Sequence, residues 1–391
     1  MKKIILSTVA ITTLALTGAH ANTHSELKKI KASMSEMTQR LSEIEAENKK
    51  LSKATPLFAK ASKLKFSSLT YFGFTNTKNV DPTIPSKSDF AIRRAYFQVK
   101  AYMMEDPKSY YRVTFDLTKE AGGSEKVRAK YAYVYLNNVF SNTGVEVGLA
   151  HRPWHDYEEH NAWYYRNISK VLLESKNGAD LSNSADYGVM FKTRTKYFEA
   201  DYGLFSGEGY HGNQNGNGLS FEWRTTAHLL GVAGKDKQTS KTYFDASFFG
   251  QINKKHKNIL VGGVTEAQDL KFYGLHTVYN QPEFLLSAQY MYSSDTSNIV
   301  GNVSAQAGKG YSVNGEYRLG DEKQYRVFAR YDAWTPKTTQ LTQKTTIAGV
   351  AWEQNRNLQW VANVTKTNNQ IVAPTVAQDT TKLMLTAEIK F

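Results

Sequence analysis

Along several segments of this 391-residue chain, charged and amide side chains occupy every second position opposite an apolar row. Over residues 325–333, Arg326, Phe328, Arg330 and Asp332 alternate with Tyr325, Val327, Ala329, Tyr331 and Ala333. Over 311–319, Ser312, Asn314, Glu316 and Arg318 alternate with Tyr311, Val313, Gly315, Tyr317 and Leu319. Over 110–117, Arg112, Thr114 and Asp116 face away from Tyr111, Val113, Phe115 and Leu117. Successive side chains of an extended chain point to opposite faces, so each run carries one ionic face and one apolar face. Arg94, Lys100, Lys192, Arg194 and Arg224 fall on the same ionic pattern. Guanidinium groups offer planar, two-pronged donors suited to carboxylates and phosphates, so the chemistry within reach is the recognition of anions. Glu199, Asp201 and Glu222 share that face, and cross-strand ion pairs that only stiffen the wall are the competing reading for any single residue.

A second group lies in the long link 151–185. His151, Arg152, His155, Arg166, Lys170 and Lys176 are interspersed with Asp156, Glu158, Glu159, Glu174 and Asp180. If this link folds into a pore and narrows it, its charges meet a solute in a low-dielectric constriction and act more strongly than on an open surface. A solvated external loop is the alternative. Basic and acidic groups nearly balance, so charge count alone makes no anion trap. The spacing His151-x3-His155-x4-His160 is close to helical and could ligate zinc. The plainer reading is three loop imidazoles titrating near neutral pH, and no metal is expected. Catalysis finds no anchor: there is no Gly-x-Ser-x-Gly elbow, no His-Glu-x-x-His and no phosphate-cradling glycine loop, so neither an enzyme nor a cofactor is expected.

The elements that must hold these residues are strands. The last segment alternates without a break, Leu383, Leu385, Ala387, Ile389 and Phe391 against Lys382, Met384, Thr386, Glu388 and Lys390. It fits the wall of a membrane barrel or the last strand of a soluble sandwich. Connections argue for the barrel. Short turns fall near 105–107, 137–142, 194–196, 280–282, 321–323 and 354–356, and longer polar links lie between them, as at 207–217, 293–307, 335–343 and 367–380. Short turns at one end and long loops at the other mark outer-membrane barrels. The expected fold is all-β, a transmembrane antiparallel barrel of about sixteen strands over 66–391, preceded by an N-terminal α-helical coiled coil. Residues 235–269 resist the count, with 243–252 readable as strand or loop. Mean hydropathy of −0.51 looks soluble but is equally what such a barrel shows, because only alternate strand residues face lipid.

Residues 1–21 read as a secretory signal, with Lys2 and Lys3 before a short apolar run and Ala19-His20-Ala21 as the cleavage site. Residues 22–55 carry a heptad with Leu27, Met34, Leu41 and Asn48 at a and Ile30, Met37, Ile44 and Leu51 at d. That pattern predicts a periplasmic coiled coil of three or more strands with Asn48 setting register; a lone amphipathic helix on the barrel mouth is the alternative. Residues 56–65 form a linker. With no cysteine, disulfides and thiolate metal sites are excluded. The net charge of +13 points to an anionic surface or solute, since export argues against nucleic acid.

Several segments resemble the phosphate-selective porins of the O and P type. Val145-Glu146-Val147-Gly148-Leu149-Ala150-His151-Arg152-Pro153-Trp154 is similar to that family's glycine-bearing strand entering a Pro-aromatic turn, and Leu173-Glu174-Ser175 to the end of its long loop. Gly203-Leu204-Phe205-Ser206-Gly207 is similar to its Gly-Val-Phe-Asn-Gly segment, and Gly310-Tyr311-Ser312-Val313 through Glu322 to a later strand. The likeness runs with gaps from about residue 90 to 391. It implies a sixteen-stranded homotrimeric barrel in the outer membrane of a Gram-negative-type bacterium, passing small solutes and often anions. Phosphate specificity stays open, because the family's basic clusters do not match position by position. The terminal Phe391 is expected to signal to the barrel-assembly machinery. Two other readings stand beside the channel: a structural or solute-binding barrel whose coiled coil contacts peptidoglycan or another envelope protein, and a soluble secreted β-sandwich lectin or adhesin.

Overall fold

Alternation with period two runs through almost every segment from Leu64 onward and produces sixteen antiparallel strands that close on themselves. The computed structural model describes residues 28–46, 63–119, 123–210, 218–232, 239–261, 263–296, 307–369 and 379–391. The first strands are β1 Leu64–Asn79, β2 Lys87–Ala101, β3 Tyr110–Lys119, β4 Glu125–Phe140 and β5 Thr143–His151. After an inward loop come β6 Ala185–Arg194, β7 Phe198–Phe205, β8 Ser220–Leu230, β9 Tyr243–Val261, β10 Val264–Gln281 and β11 Phe284–Thr296. The series ends with β12 Gly308–Leu319, β13 Tyr325–Pro336, β14 Gln343–Asn355, β15 Leu358–Asn369 and β16 Thr380–Lys390. Each strand pairs with its neighbours in sequence, and β1 pairs with β16 to complete the cylinder, so no sheet edge remains. Beyond the last strand, the Phe391 N–H donates to the Ser68 carbonyl and the Ser68 N–H to the Phe391 carbonyl, both at 3.1 Å.

The burial pattern follows the strand faces. On β12 and β13, Tyr311, Val313, Tyr317, Leu319, Tyr325 and Val327 are exposed on the outside, whereas Ser312, Asn314, Glu316, Arg318, Arg326, Arg330 and Asp332 are buried within. The Phe391 ring also stands exposed on the outer face. Sorting of connections by length holds for most of the barrel and is reversed most clearly on either side of β9. β9 and β10, of 19 and 18 residues, are joined through residues 262–263 at the end where other links are long. Gly263 takes a φ of +84° there, in the region glycine reaches without penalty. At the other end, residues 231–242 make a longer link between β8 and β9. These two reversals are why 235–269 defied the strand count; residues 243–252 are strand throughout.

The link between β5 and β6 is folded into the barrel and is buried along most of its length. It holds the short helix α2, His155–Asn161, which follows the chain-order helix α1 at 28–46. His151 and Ala185 belong to the flanking strands, so the loop proper is 152–184. Its anchorage is aromatic. Trp154 stacks on Phe249 of β9 with centroids 3.7 Å apart, and Tyr165 stacks on Phe328 of β13 at 3.8 Å. Around the first pair lie Leu172, Leu173, Leu181, Leu270, Phe272 and Met291; around the second, Trp163, Ile168, Val171, Ile347 and Met384. The inner wall of β9–β16 is therefore partly apolar, a seat for the loop, and each large side chain buried there contributes about 1.5–3 kcal/mol.

The chain divides into two units, residues 1–63 and the barrel. In α1, Ile30, Met34, Met37, Leu41 and Ile44 all stand exposed along one stripe. The predicted helix is present, with this stripe exposed. Leu27, Asn48 and Leu51, the signal segment and most of the linker lie outside the described residues.

Candidate functional site

With the loop seated against β9–β16, open space remains beside β1–β4, a cavity of about 750 Å³. The strand wall contributes Tyr96, Gln98, Arg112, Thr114, Lys130 and Tyr131; the loop contributes Asp156, Glu159, His160, Tyr164 and Arg166. Toward the short-turn end stand Arg326, Glu353, Arg356, Glu388 and Lys390.

Two β-bulges shape this wall. Opposite Tyr71 and Phe72, β2 carries an extra residue at Arg93–Arg94, and opposite Thr114 and Phe115, β4 carries one at Lys130. A bulge resets which residues face inward. Arg94 pairs with Asp116 at 3.3 Å and donates to the Tyr96 hydroxyl at 2.5 Å. Lys130 donates to that hydroxyl at 2.7 Å and sits 4.4 Å from the Tyr96 ring centroid and 5.1 Å from that of Tyr131. The Arg112 guanidinium lies 4.5 Å from the Tyr131 ring. It also donates to Tyr133 Oη at 3.3 Å and to His151 Nε2 at 3.0 Å. Because Nε2 accepts, the proton of His151 sits on Nδ1, which donates to Glu146 at 2.9 Å. Rings and hydroxyls thus hold Arg112 and Lys130 in place. Among the described residues neither cation has a carboxylate within ion-pair distance.

The loop neutralises most of its own charge. Arg166 bonds Glu159 and, at 2.7 and 3.3 Å, both oxygens of Glu174, and Lys170 also reaches Glu174 at 2.8 Å. Lys176 is exposed. The Asp156 side chain is exposed to the cavity; the protein mass around it works against ionisation, but His160 at 3.4 Å, with His151, Lys192 and Arg112 beyond, holds its carboxyl well below the ordinary range. Glu158 behaves oppositely: burial pushes its carboxyl up to about 8, although Trp154 Nε1 donates to it at 2.6 Å. His155 is buried with no hydrogen bond to either ring nitrogen, and burial drives its imidazole down to about 3. His151, His155 and His160 do not converge, and among the described residues no cluster of His, Asp and Glu is arranged to hold a metal.

The other cations anticipated on the inner face do lie there but differ in exposure. Arg152 grips Glu222 of β8 and donates to Gln251 of β9 at 2.8 Å, pinning the start of the loop. Lys192 reaches Glu146 at 2.9 Å. Arg194 and Arg224 share Asp201, at 2.5 and 2.6 Å, and these residues line a smaller cavity of about 140 Å³ behind α2. Lys100 packs over the Tyr110 ring at 4.8 Å. Arg318 is sealed by Glu316 at 2.5 Å and by backbone carbonyls, and Glu316 also accepts from Tyr165. Arg330 is fully buried, chelating Asp332 at 2.8 Å beneath the Trp163 ring. Arg326 pairs with Glu353 and still borders the main cavity. The sequence reading did not include Arg93 and Lys130 among the inward cations, nor Tyr96 and Tyr131 as supports of Lys130. The unbroken basic pair Arg93-Arg94 was the available signal of a bulge.

No protein-family model matches the chain, and no curated protein does either. Solved structures resemble it in fold. An anion-selective porin from Comamonas acidovorans superposes with a TM-score of 0.63 at 12% identity, over 84% of this chain and 99% of that one. Pseudomonas putida OprB gives 0.58 at 8% identity, over 87% and 96%. Salmonella typhi OmpF, solved in complex with daunomycin, gives 0.55 at 14% identity, over 84% and 97%. At these identities the likeness is one of fold.

Proposed function

We propose that this protein is an outer-membrane porin, a water-filled channel for passive diffusion of small hydrophilic solutes with a mild preference for anions. One observation carries the reading: the inward loop leaves a cavity whose strand wall presents Arg112 and Lys130 held by tyrosines rather than cancelled by carboxylates. An anion passing there gains from both cations in a partly desolvated space. The outward apolar rows suit lipid, and the fold likeness to an anion-selective porin supports the same reading. Phosphate belongs to the class of permeant anions, without a dedicated site. In this reading the leader directs export, the barrel assembles as a homotrimer, and Phe391 is presented to the assembly machinery. The exposed stripe of α1 supports self-association of that helix in the periplasm as a coiled coil. The same stripe also suits a second reading, in which the helix docks on another envelope component and the barrel serves chiefly as an anchor.

Planar-bilayer recordings with chloride, phosphate and potassium side by side test the channel. The expected result is conductance with a reversal potential on the anion side; a barrel closed to all three would leave the anchoring reading in its place.

A further inference from the structure

Farther along β16 from Lys390, between the tip of the inward loop and strands β1, β2 and β14–β16, lies a separate cavity of about 190 Å³. Two cations reach it. Arg93 does so through the β2 bulge and donates to Thr75 Oγ1 at 3.1 Å. Lys382 stands in register between Thr77 on β1 and Thr365 on β15. Among the described residues neither has a carboxylate within ion-pair distance, and Asp89 is the acidic group on the lining. Hydroxyls surround them, from Thr75, Thr77, Thr345 and Thr365 on the wall and Ser169 and Ser175 on the loop. Thr345 is buried and its hydroxyl has no hydrogen-bond partner, an uncommon state for a buried polar atom. Asn177 adds an amide, and Ile168 and Met384 an apolar patch.

We infer that this cavity is a binding site for a small hydroxylated carboxylate of the sugar-acid type, occupied before the solute reaches the passage beside Arg112. Arg93 and Lys382 supply the pull on one carboxylate. The row of hydroxyls and the amide exceeds what chloride or a bare oxyanion can use but matches a chain of alcohol groups. Asp89 disfavours a dianion and accepts from a hydroxyl. The volume equals roughly six waters at about 30 Å³ each, space on the scale of a six-carbon acid. The inference rests on the interior being a solute path, and its test separates the two.

Purified barrel in detergent is titrated calorimetrically with glucuronate, with acetate as the charge-only probe and glucose as the hydroxyl-only probe, while potassium chloride conductance is recorded in bilayers. Glucuronate is expected to bind at least roughly tenfold more tightly than either probe, and Lys382→Gln to weaken it by a similar factor. Arg93→Gln gives an independent reading should Lys382→Gln fail to fold. Acetate matching glucuronate, or binding unchanged in the folded variants, overturns the site. A conducting barrel without the preference removes the site and leaves the channel; a closed barrel that binds glucuronate keeps the site and removes the channel.

Discussion

Arg152 holds Glu222 through Nε at 3.0 and 2.8 Å, with Nη2 closing a second contact to the same carboxylate. The first residue of the inward loop is thereby locked to β8 by a pair from which water is excluded. Removing one partner of such a pair strands the other charge in the interior, at about 3–5 kcal/mol. Arg152→Ala is therefore expected to loosen the loop at its root while the barrel still closes. Protease cleavage within 152–184 and noisier single-channel current would report it; a loop as protected as in the parent protein would contradict the anchoring role.

Acid and alkali act on the seated loop through different groups. Burial lowers His155 from an ordinary 6.5 to about 3, so its contribution to docking is complete above about 6.5 and is lost as pH falls toward 3. Burial raises Glu158 from 4.5 to about 8, so its contribution is complete below 4.5 and is lost as pH rises toward 8. Conductance against pH should show loop loosening on the acid side that His155→Leu abolishes and alkaline loosening that Glu158→Gln abolishes. Responses identical in parent and variants would remove both groups from the account.

Selectivity should follow exposure to the passage rather than membership of the inner face. Charge reversal at Arg112 and Lys130 together is expected to lower the chloride-to-potassium permeability ratio by roughly tenfold, since about 1.4 kcal/mol of solute interaction suffices for that factor. Arg330→Gln, buried beneath Trp163, should leave the ratio close to that of the parent protein. A larger shift from Arg330→Gln than from the pair would place the solute path elsewhere.

The outward rows make their own prediction. Val313 and Val327 are about half exposed on the outer face, beside Tyr331 and Tyr317 respectively. Arginine at either position should hinder membrane insertion by roughly 2–4 kcal/mol if the residue sits near mid-bilayer. Folding yield into lipid vesicles, read by gel mobility of unheated samples, measures this. Undiminished yield for both variants would reverse the assignment of faces.

About sixteen strands, their closure and the extent of the long link were legible as alternation and link length, except over 235–269, because a wall with one apolar and one polar face imposes a period of two on nearly every segment. Three things were not. Bulges break the period locally, so Arg93 and Lys130 went unlisted among the inward cations. The loop fills one side of the interior, so Leu270, Phe272, Phe249 and Ile347 turn apolar groups inward, as Phe328 does within its ionic row. Their strands carry apolar residues on both faces, and that doubled pattern was the sign of a docked segment. Which cations stay unpaired depends on distances between strands, and no linear spacing reports it: Arg330 and Arg112 look alike in sequence, yet one is sealed and the other borders open space.

Closure of β1 on β16, finished by the reciprocal bonds of Ser68 with Phe391, sets a constraint on biogenesis. Until β16 is in place, the opening strand lacks one of its two mates and its backbone groups stay available to any stray chain. Contacts of such sequence separation form slowly. A chain lacking β16 would therefore leave an open sheet with two unpaired edges rather than a slightly smaller barrel.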